Sequence, residues 1–254
     1  MEHFNYGLDN LKQTLSSDNL NLLYPKSAEN YGRLRESYLD SYCSAMIKPV
    51  YRNIEQEIVK EIGRHDLILG CVAWLTSIPV LTALQGKNVQ FVVQQEDWLR
   101  PDSNDLTMEA QRRLYDGLKG IDNYTAWAST GNYHNISPIR LSGKPKNHKR
   151  NNARMHHKFL LFGRYGEVEY EGSTVNGVGK PFIDLVWTGS YNLTHNATRS
   201  LENGVFIRSE EVAESYYNEW RQILLSSFRI EDRWWGAKYA WGGCDNEDWL
   251  RDGT

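Results

Sequence analysis

The stretch Met155-His156-His157-Lys158-Phe159-Leu160-Leu161-Phe162 decides how this chain is read. Its bulky apolar residues, broken only by His, His and Lys, predict a buried strand. Side chains alternate faces along a strand, so His156 and Lys158 share one face while His157 and Phe159 share the other. Downstream, Phe182–Asn192 predicts a second strand, in which Thr188, Ser190 and Asn192 share a face. The run Ser200-Leu201-Glu202-Asn203-Gly204-Val205-Phe206-Ile207 follows closely. Two strand ends thus offer polar groups in apolar surroundings. A buried His–Lys pair costs free energy unless an anion or hydrogen-bond partners meet it, which points to phosphate.

Upstream of this core, Ile47, Val50, Ile54, Ile58 and Ile62 recur at three- or four-residue spacing and predict a helix, with Gly63 as its closing residue. Asp66–Thr76 predicts a strand. Ser77 is placed to cap a short helix reaching Leu84, with Pro79 in its first turn and Gly86 closing it. Val89–Val93 predicts a further strand, so strand, helix and strand form a parallel unit with a right-handed crossover. Leu106, Ala110, Leu114, Leu118 and Ile121 mark another helix, and Val212, Tyr216, Trp220, Ile223 and Leu224 mark a last one. The order predicts an α/β fold: a mixed, largely parallel β-sheet flanked by helices on both faces. Residues 1–42 read as an N-terminal extension, 43–228 as one catalytic domain, and 229–254 as a Trp-rich tail packed on it.

The 254 residues carry a net charge of only −3, so any nucleic-acid surface must be local and not a property of the whole chain. A local candidate exists. Lys144, Lys146, Lys149, Arg150 and Arg154 crowd the approach to the Met155 strand, where they would contact phosphates. Cys43, Cys71 and Cys244 are odd in number and widely spaced, which argues against a disulfide framework and against metal-ligand spacing. The N-terminal residues lack a charged start followed by an apolar run, and no stretch approaches a membrane span. A cytoplasmic protein with no membrane partner is the expectation.

His156-x-Lys158, then Gly189-Ser190-x-Asn192, then Glu202-Asn203, in that order and on strands, resemble the signature of the phospholipase D superfamily. That family includes phospholipases, phosphatidyltransferases and metal-independent nucleases. The resemblance implies an α/β fold, no cofactor, and a catalytic set of His156, Lys158, Ser190, Asn192 and Glu202. The residue types fit phosphodiester cleavage. A neutral His156 can attack phosphorus and form a phosphohistidine, while Lys158 and Asn192 can meet the non-bridging oxygens. Ser190 can add a donor or fix a neighbouring side chain, and Glu202 can accept from the second nitrogen of His156. The family commonly carries an Asp five residues after its Lys; here that position is Gly163, and Asp184 is the candidate stand-in. A polar, Gly-rich insert from Gly163 to Lys180 lengthens the gap between the motif halves.

Cleavage also needs an acid for the leaving oxygen, and none of the other six His stands in a second His-x-Lys. Single-motif members of the family pair as homodimers, so the resemblance implies one composite site across a two-fold axis. The leading reading is a metal-independent nuclease acting on DNA in preference to RNA. The alternatives are a lipid phosphodiesterase and an inactive nucleic-acid-binding member. His157 reads as a core or hydrogen-bonding residue, and His195 and Asn196 as capping residues at least as readily as substrate contacts.

Overall fold

The computed structural model describes residues 47–100, 103–121, 136–143, 154–170 and 173–230, without the side chains of 166–180. The N-terminal extension, the basic residues Lys144, Lys146, Lys149 and Arg150, and all but the first residues of the Trp-rich tail lie outside the described residues.

Strands β1 (Ile47–Val50), β2 (Leu67–Val72), β3 (Asn88–Gln94), β4 (Lys119–Gly120), β5 (Ile139–Ser142), β6 (Lys158–Tyr170), β7 (Ser173–Gly189), β8 (Gly204–Ile207) and β9 (Phe228–Arg229) make one sheet. Its order is β1-β8-β7-β6-β2-β3-β5-β9, with β4 beside β3. Helices α1 (Ile54–Arg64), α2 (Ile78–Ala83), α3 (Glu109–Asp116) and α4 (Glu210–Leu225) flank it.

Alternation along the central strands builds two cores. On β2, Ile68 and Val72 face one way and pack with Ile54, Ile58 and Ile62 of α1 and Val80 and Leu81 of α2. Leu67, Leu69 and Cys71 face the other way, toward Ala213, Tyr217, Trp220 and Leu224 of α4. Every residue of β2 is buried, so full burial of each large aliphatic side chain there contributes about 1.5–3 kcal/mol. The α/β class, the mixed sheet and the helices on both faces are as the sequence predicts. The balance of strand directions is not. β2, β3, β4 and β5 run parallel, but β1/β8, β8/β7, β7/β6, β6/β2 and β5/β9 are all antiparallel. The reason is the β6–β7 hairpin, which inserts between the parallel unit and β8.

Local differences have equally local causes. The expected helix from Ile47 divides in two. Ile47–Val50 pairs antiparallel with β8, and Asn53 turns the chain at φ 53°, a left-handed conformation that Asn tolerates better than most residues. Helix α1 then runs past Gly63 to Arg64, with His65 as its cap. The helix expected from Leu106 to Ile121 is a 3-10 turn at Leu106–Met108 followed by α3, and Leu118 leads into β4. Ser77 caps α2 as expected, its side chain accepting from the Val80 amide at 3.2 Å.

The Gly-rich insert is an extension of the sheet. β6 and β7 pair from Phe159↔Thr188 out to Tyr170↔Ser173, a hairpin much longer than its neighbours. Its register slips where Phe162↔Leu185 gives way to Gly163↔Ile183, leaving Asp184 as the extra residue of a β-bulge.

Candidate active site

All five motif residues gather at one end of the sheet. Lys158 opens β6, beside Val72 at the end of β2 and next to the Phe159↔Thr188 pair with β7. β7 stops at Gly189, so Ser190 and Asn192 lie in the loop beyond the strand and not on the extended strand expected to Asn192. Glu202 and Asn203 directly precede β8.

His156 also sits outside regular structure, yet its backbone is held on both sides. The buried Gln94 side chain accepts from the Met155 amide at 2.8 Å, and the Ala73 amide donates to the His157 carbonyl at 2.8 Å. Lys158 Nζ lies 3.2 Å from His156 Nδ1 and donates to the His156 carbonyl at 3.0 Å. Lys158 is only 9% exposed. Desolvation lowers its pKa, and the negative charge of Glu202 pulls the other way. The His156 ring is exposed at its surface, but partial desolvation, then the charges of Lys158, Arg154 and His157, hold its pKa below the usual range. That environment favours the neutral imidazole. Arg154, the one described member of the basic run, is thus electrostatically part of the site.

Ser190 joins β7 to β8. Its amide donates to the Asn203 carbonyl at 2.9 Å, its hydroxyl donates to Glu202, and the Asn203 amide donates back to Ser190 Oγ at 3.0 Å. This reciprocal pairing needs Gly189, because a Cβ there would run into the Asn203 carbonyl oxygen. Glu202 therefore spends its hydrogen bond on Ser190. The bond from His156 to Glu202 that the sequence suggested is not formed. Asn192 keeps a buried side-chain oxygen without a partner among the described residues.

The loop carrying Ser190 and Asn192 is fixed from below. The Leu193 carbonyl accepts from the amides of Thr76 and Ser77, both at 2.8 Å. Tyr191, 1% exposed, donates to Glu55 at 3.4 Å, and Ser77 Oγ donates to the same carboxylate at 2.6 Å. Burial, then the charge and hydrogen bond of Glu55 and the charge of Glu202, push the Tyr191 phenol well up.

Sequence reasoning named Thr188 but did not single out Gln94, Tyr191 or Trp74. Thr188 Oγ1 donates to the Lys158 carbonyl at 3.2 Å. Trp74 meets the His156 ring edge to face, with centroids 5.6 Å apart. A polar Gln at the end of the apolar Val89–Val93 run was the one available signal. The bystander histidines behave modestly. His157 packs against Phe159 and lies 3.8 Å from Glu219 of α4. His195 makes no side-chain cap; Thr194 Oγ1 instead accepts from the Ala197 amide at 3.3 Å.

Gly163 and Asp184 lie partway along the β6–β7 hairpin, at the other end of the β2–β6 pairing, where Leu67 meets Gly163. A Cβ at Gly163 would collide with the Phe182 carbonyl oxygen, so the bulge leaves no room for an Asp. Asp184 does not replace it in the site, because its carboxylate pairs with Arg208 at 2.6 Å and His65 at 3.2 Å. Among the described residues no three His, Cys, Asp or Glu side chains are grouped to hold a metal ion, and no helix is long and apolar enough to cross a membrane.

A mixed α/β sheet with one His-x-Lys pair at the strand ends, backed by a Ser–Glu pair and the unpartnered Asn192 side-chain oxygen, defines the class. The chain belongs to the phospholipase D-like family: the sequence pattern described as "Cardiolipin synthase, PLD-like domain" matches residues 80–224, which include every motif residue above. An uncharacterized protein of Acanthamoeba polyphaga mimivirus is 26% identical over 216 residues, covering 78% of this chain and 72% of that one. Among solved structures, NucT from Helicobacter pylori is 13% identical with a TM-score of 0.46, covering 72% of this chain and 98% of its own. Nuc from Salmonella typhimurium, a phospholipase D family member, is 18% identical with a TM-score of 0.39, covering 72% of this chain and 97% of its own.

Proposed function

We propose that the protein is a metal-independent phosphodiesterase, a nuclease that cleaves DNA in preference to RNA, with its site shared across a homodimer. The observation that carries this reading is the half-built centre. One imidazole, its pKa lowered beside a buried ammonium, faces outward from the sheet end, and among the described residues no second imidazole and no carboxylate is bonded to it.

In this reading a neutral nitrogen of His156 attacks phosphorus, forming an N–P bond as the P–O bond to the leaving group breaks. Lys158 and Asn192 stabilise the charge on the non-bridging oxygens, and Ser190 holds Glu202 against the Lys158 charge. The leaving oxygen takes a proton from His156 of the partner subunit. That imidazole then removes a proton from water, whose oxygen attacks phosphorus and frees His156. Lys144, Lys146, Lys149, Arg150 and Arg154 position the polymer through its phosphates, and no cofactor enters. The charge of Arg154 at His156 supports that last assignment.

The test is to incubate wild type and His156→Ala in EDTA with single-stranded DNA, double-stranded DNA, RNA and phosphatidylcholine vesicles. Cleavage of DNA by wild type alone is the expected result. Turnover of lipid alone would replace nuclease with lipid phosphodiesterase, and DNA binding without cleavage would identify an inactive binder. A fully active monomer in sedimentation would overturn the shared site.

A further inference from the structure

Glu202 does not reach His156, so something else must set the orientation of that ring. Lys158 and Trp74 contact it directly, while Arg154 and His157 act on it through their charges. Lys158 Nζ stands at 3.2 Å from one ring nitrogen and 3.3 Å from the other, so it approaches the ring without selecting either atom. Trp74 meets the ring at an interplanar angle of 85°, a geometry that aromatic pairs favour.

Trp74 is itself unusually well fixed. On one side, Ala73 donates to the His157 carbonyl at 2.8 Å and accepts from the Gln94 amide at 3.1 Å. On the other, the Leu75 carbonyl accepts from the buried Tyr115 hydroxyl at 2.7 Å. The indole N–H then donates to Glu96 Oε1 at 2.9 Å, and Glu96 stands two residues beyond Gln94, whose side chain holds the Met155 amide. The same two strand ends, β2 and β3, therefore anchor both the indole and the backbone that carries His156.

We propose that Trp74, locked by Glu96, is the positioning residue for the His156 imidazole, an aromatic clamp in the place where a carboxylate contact was expected. The proposal rests on His156 being the nucleophile. Trp74 also shields one side of the ring, in keeping with the desolvation that heads the causes of its lowered pKa. The charged or titratable groups facing His156 are Lys158, Arg154 and His157, with Glu202 acting through Lys158 and Glu96 through the indole.

The experiment pairs two readouts on the full chain: steady-state cleavage of a DNA substrate, and the His156 titration midpoint by NMR on ring-labelled protein. Trp74→Leu should lower kcat about 100-fold, the scale of a misplaced reacting group, with KM within about threefold. It should also raise the His156 midpoint as water reaches the ring. Trp74→Phe should restore most of both. Glu96→Leu, which leaves the indole present but unanchored, should shift both in the same direction by less, and it serves if Trp74→Leu fails to fold. An altered KM with kcat and midpoint unchanged would make Trp74 a substrate contact and overturn the proposal, as would no change in any quantity. If wild type cleaves no phosphodiester, the nuclease reading fails, and the midpoint alone still decides whether Trp74 governs the ring.

Discussion

The two ends of the β2–β6 pairing carry nearly the same chemical groups and use them oppositely. At the far end, His65 has both ring nitrogens facing acceptors, Nδ1 toward the Glu61 carbonyl at 2.7 Å and Nε2 toward Asp184 at 3.2 Å. Arg208 completes the pairing, and Phe162 packs against the ring. At the near end, His156 has an ammonium at its nitrogens, further positive charge around it, and no carboxylate bonded to it among the described residues. Both ends combine His, a carboxylate and a cation. What separates them is completion: the far cluster is closed by its own partners, and the near one is left open to an anion. Polar groups satisfied by each other hold a fold, whereas a buried cation beside an exposed imidazole and an unpartnered Asn192 oxygen awaits something from outside.

That contrast makes testable claims. The largest expected effect is at the near end. Lys158→Met should lower turnover by about 10³-fold while leaving thermal stability unchanged or raised, since a buried cation carries a desolvation cost. A large drop in Tm would mean that Lys158 belongs to the architecture as much as the far cluster does. Next is Gly163→Ala, which should destabilise by about 1–3 kcal/mol in urea unfolding, because a Cβ overpacks the bulge. Unchanged stability would show that the hairpin can give way and that the absent Asp needs another explanation. Asp184→Asn should cost up to about 1 kcal/mol, the scale of a partly exposed ion pair, and leave cleavage intact; lost cleavage would erase the distinction between the ends. The smallest effect is a shift in titration. His156 should titrate below the ordinary value of about 6.5, so the acidic limb of kcat/KM should lie below it too, where the neutral nucleophile is lost to protonation. Arg154→Gln should move that midpoint upward by removing a positive charge.

Much of this was legible in the order of residues. The alternation in Met155–Phe162 and the Leu67–Leu75 and Val89–Val93 runs located the central strands, and Ser77 announced its own helix. Lys158 opens a strand as expected, whereas His156, Ser190 and Asn192, expected on strands, fall in the loops just outside β6 and β7. Three things were not legible. Ile47 and Val50 fit a helical spacing as well as a strand edge, and only pairing with β8 decides between them. The long β6–β7 hairpin was hidden because polar, Gly-rich sequence reads as loop until a partner strand pairs with it. The contacts of Trp74, Glu96 and Ser190 join segments distant in sequence, so no local pattern could announce them.

The absence of a Cβ at Gly189 has a consequence for how this site could change over time. β7 and β8 meet there at the distance of bare backbone, with Gly189 opposite Gly204. That gap works as a fixed gauge: while it holds, Ser190 and Glu202 meet whatever lies between them. Leu193 is pinned to Thr76 and Ser77, so the segment from Thr194 to Leu201 can be treated as a cassette. Its exposed positions, though not the buried Ala197, can be exchanged without disturbing the meeting of Ser190 and Glu202.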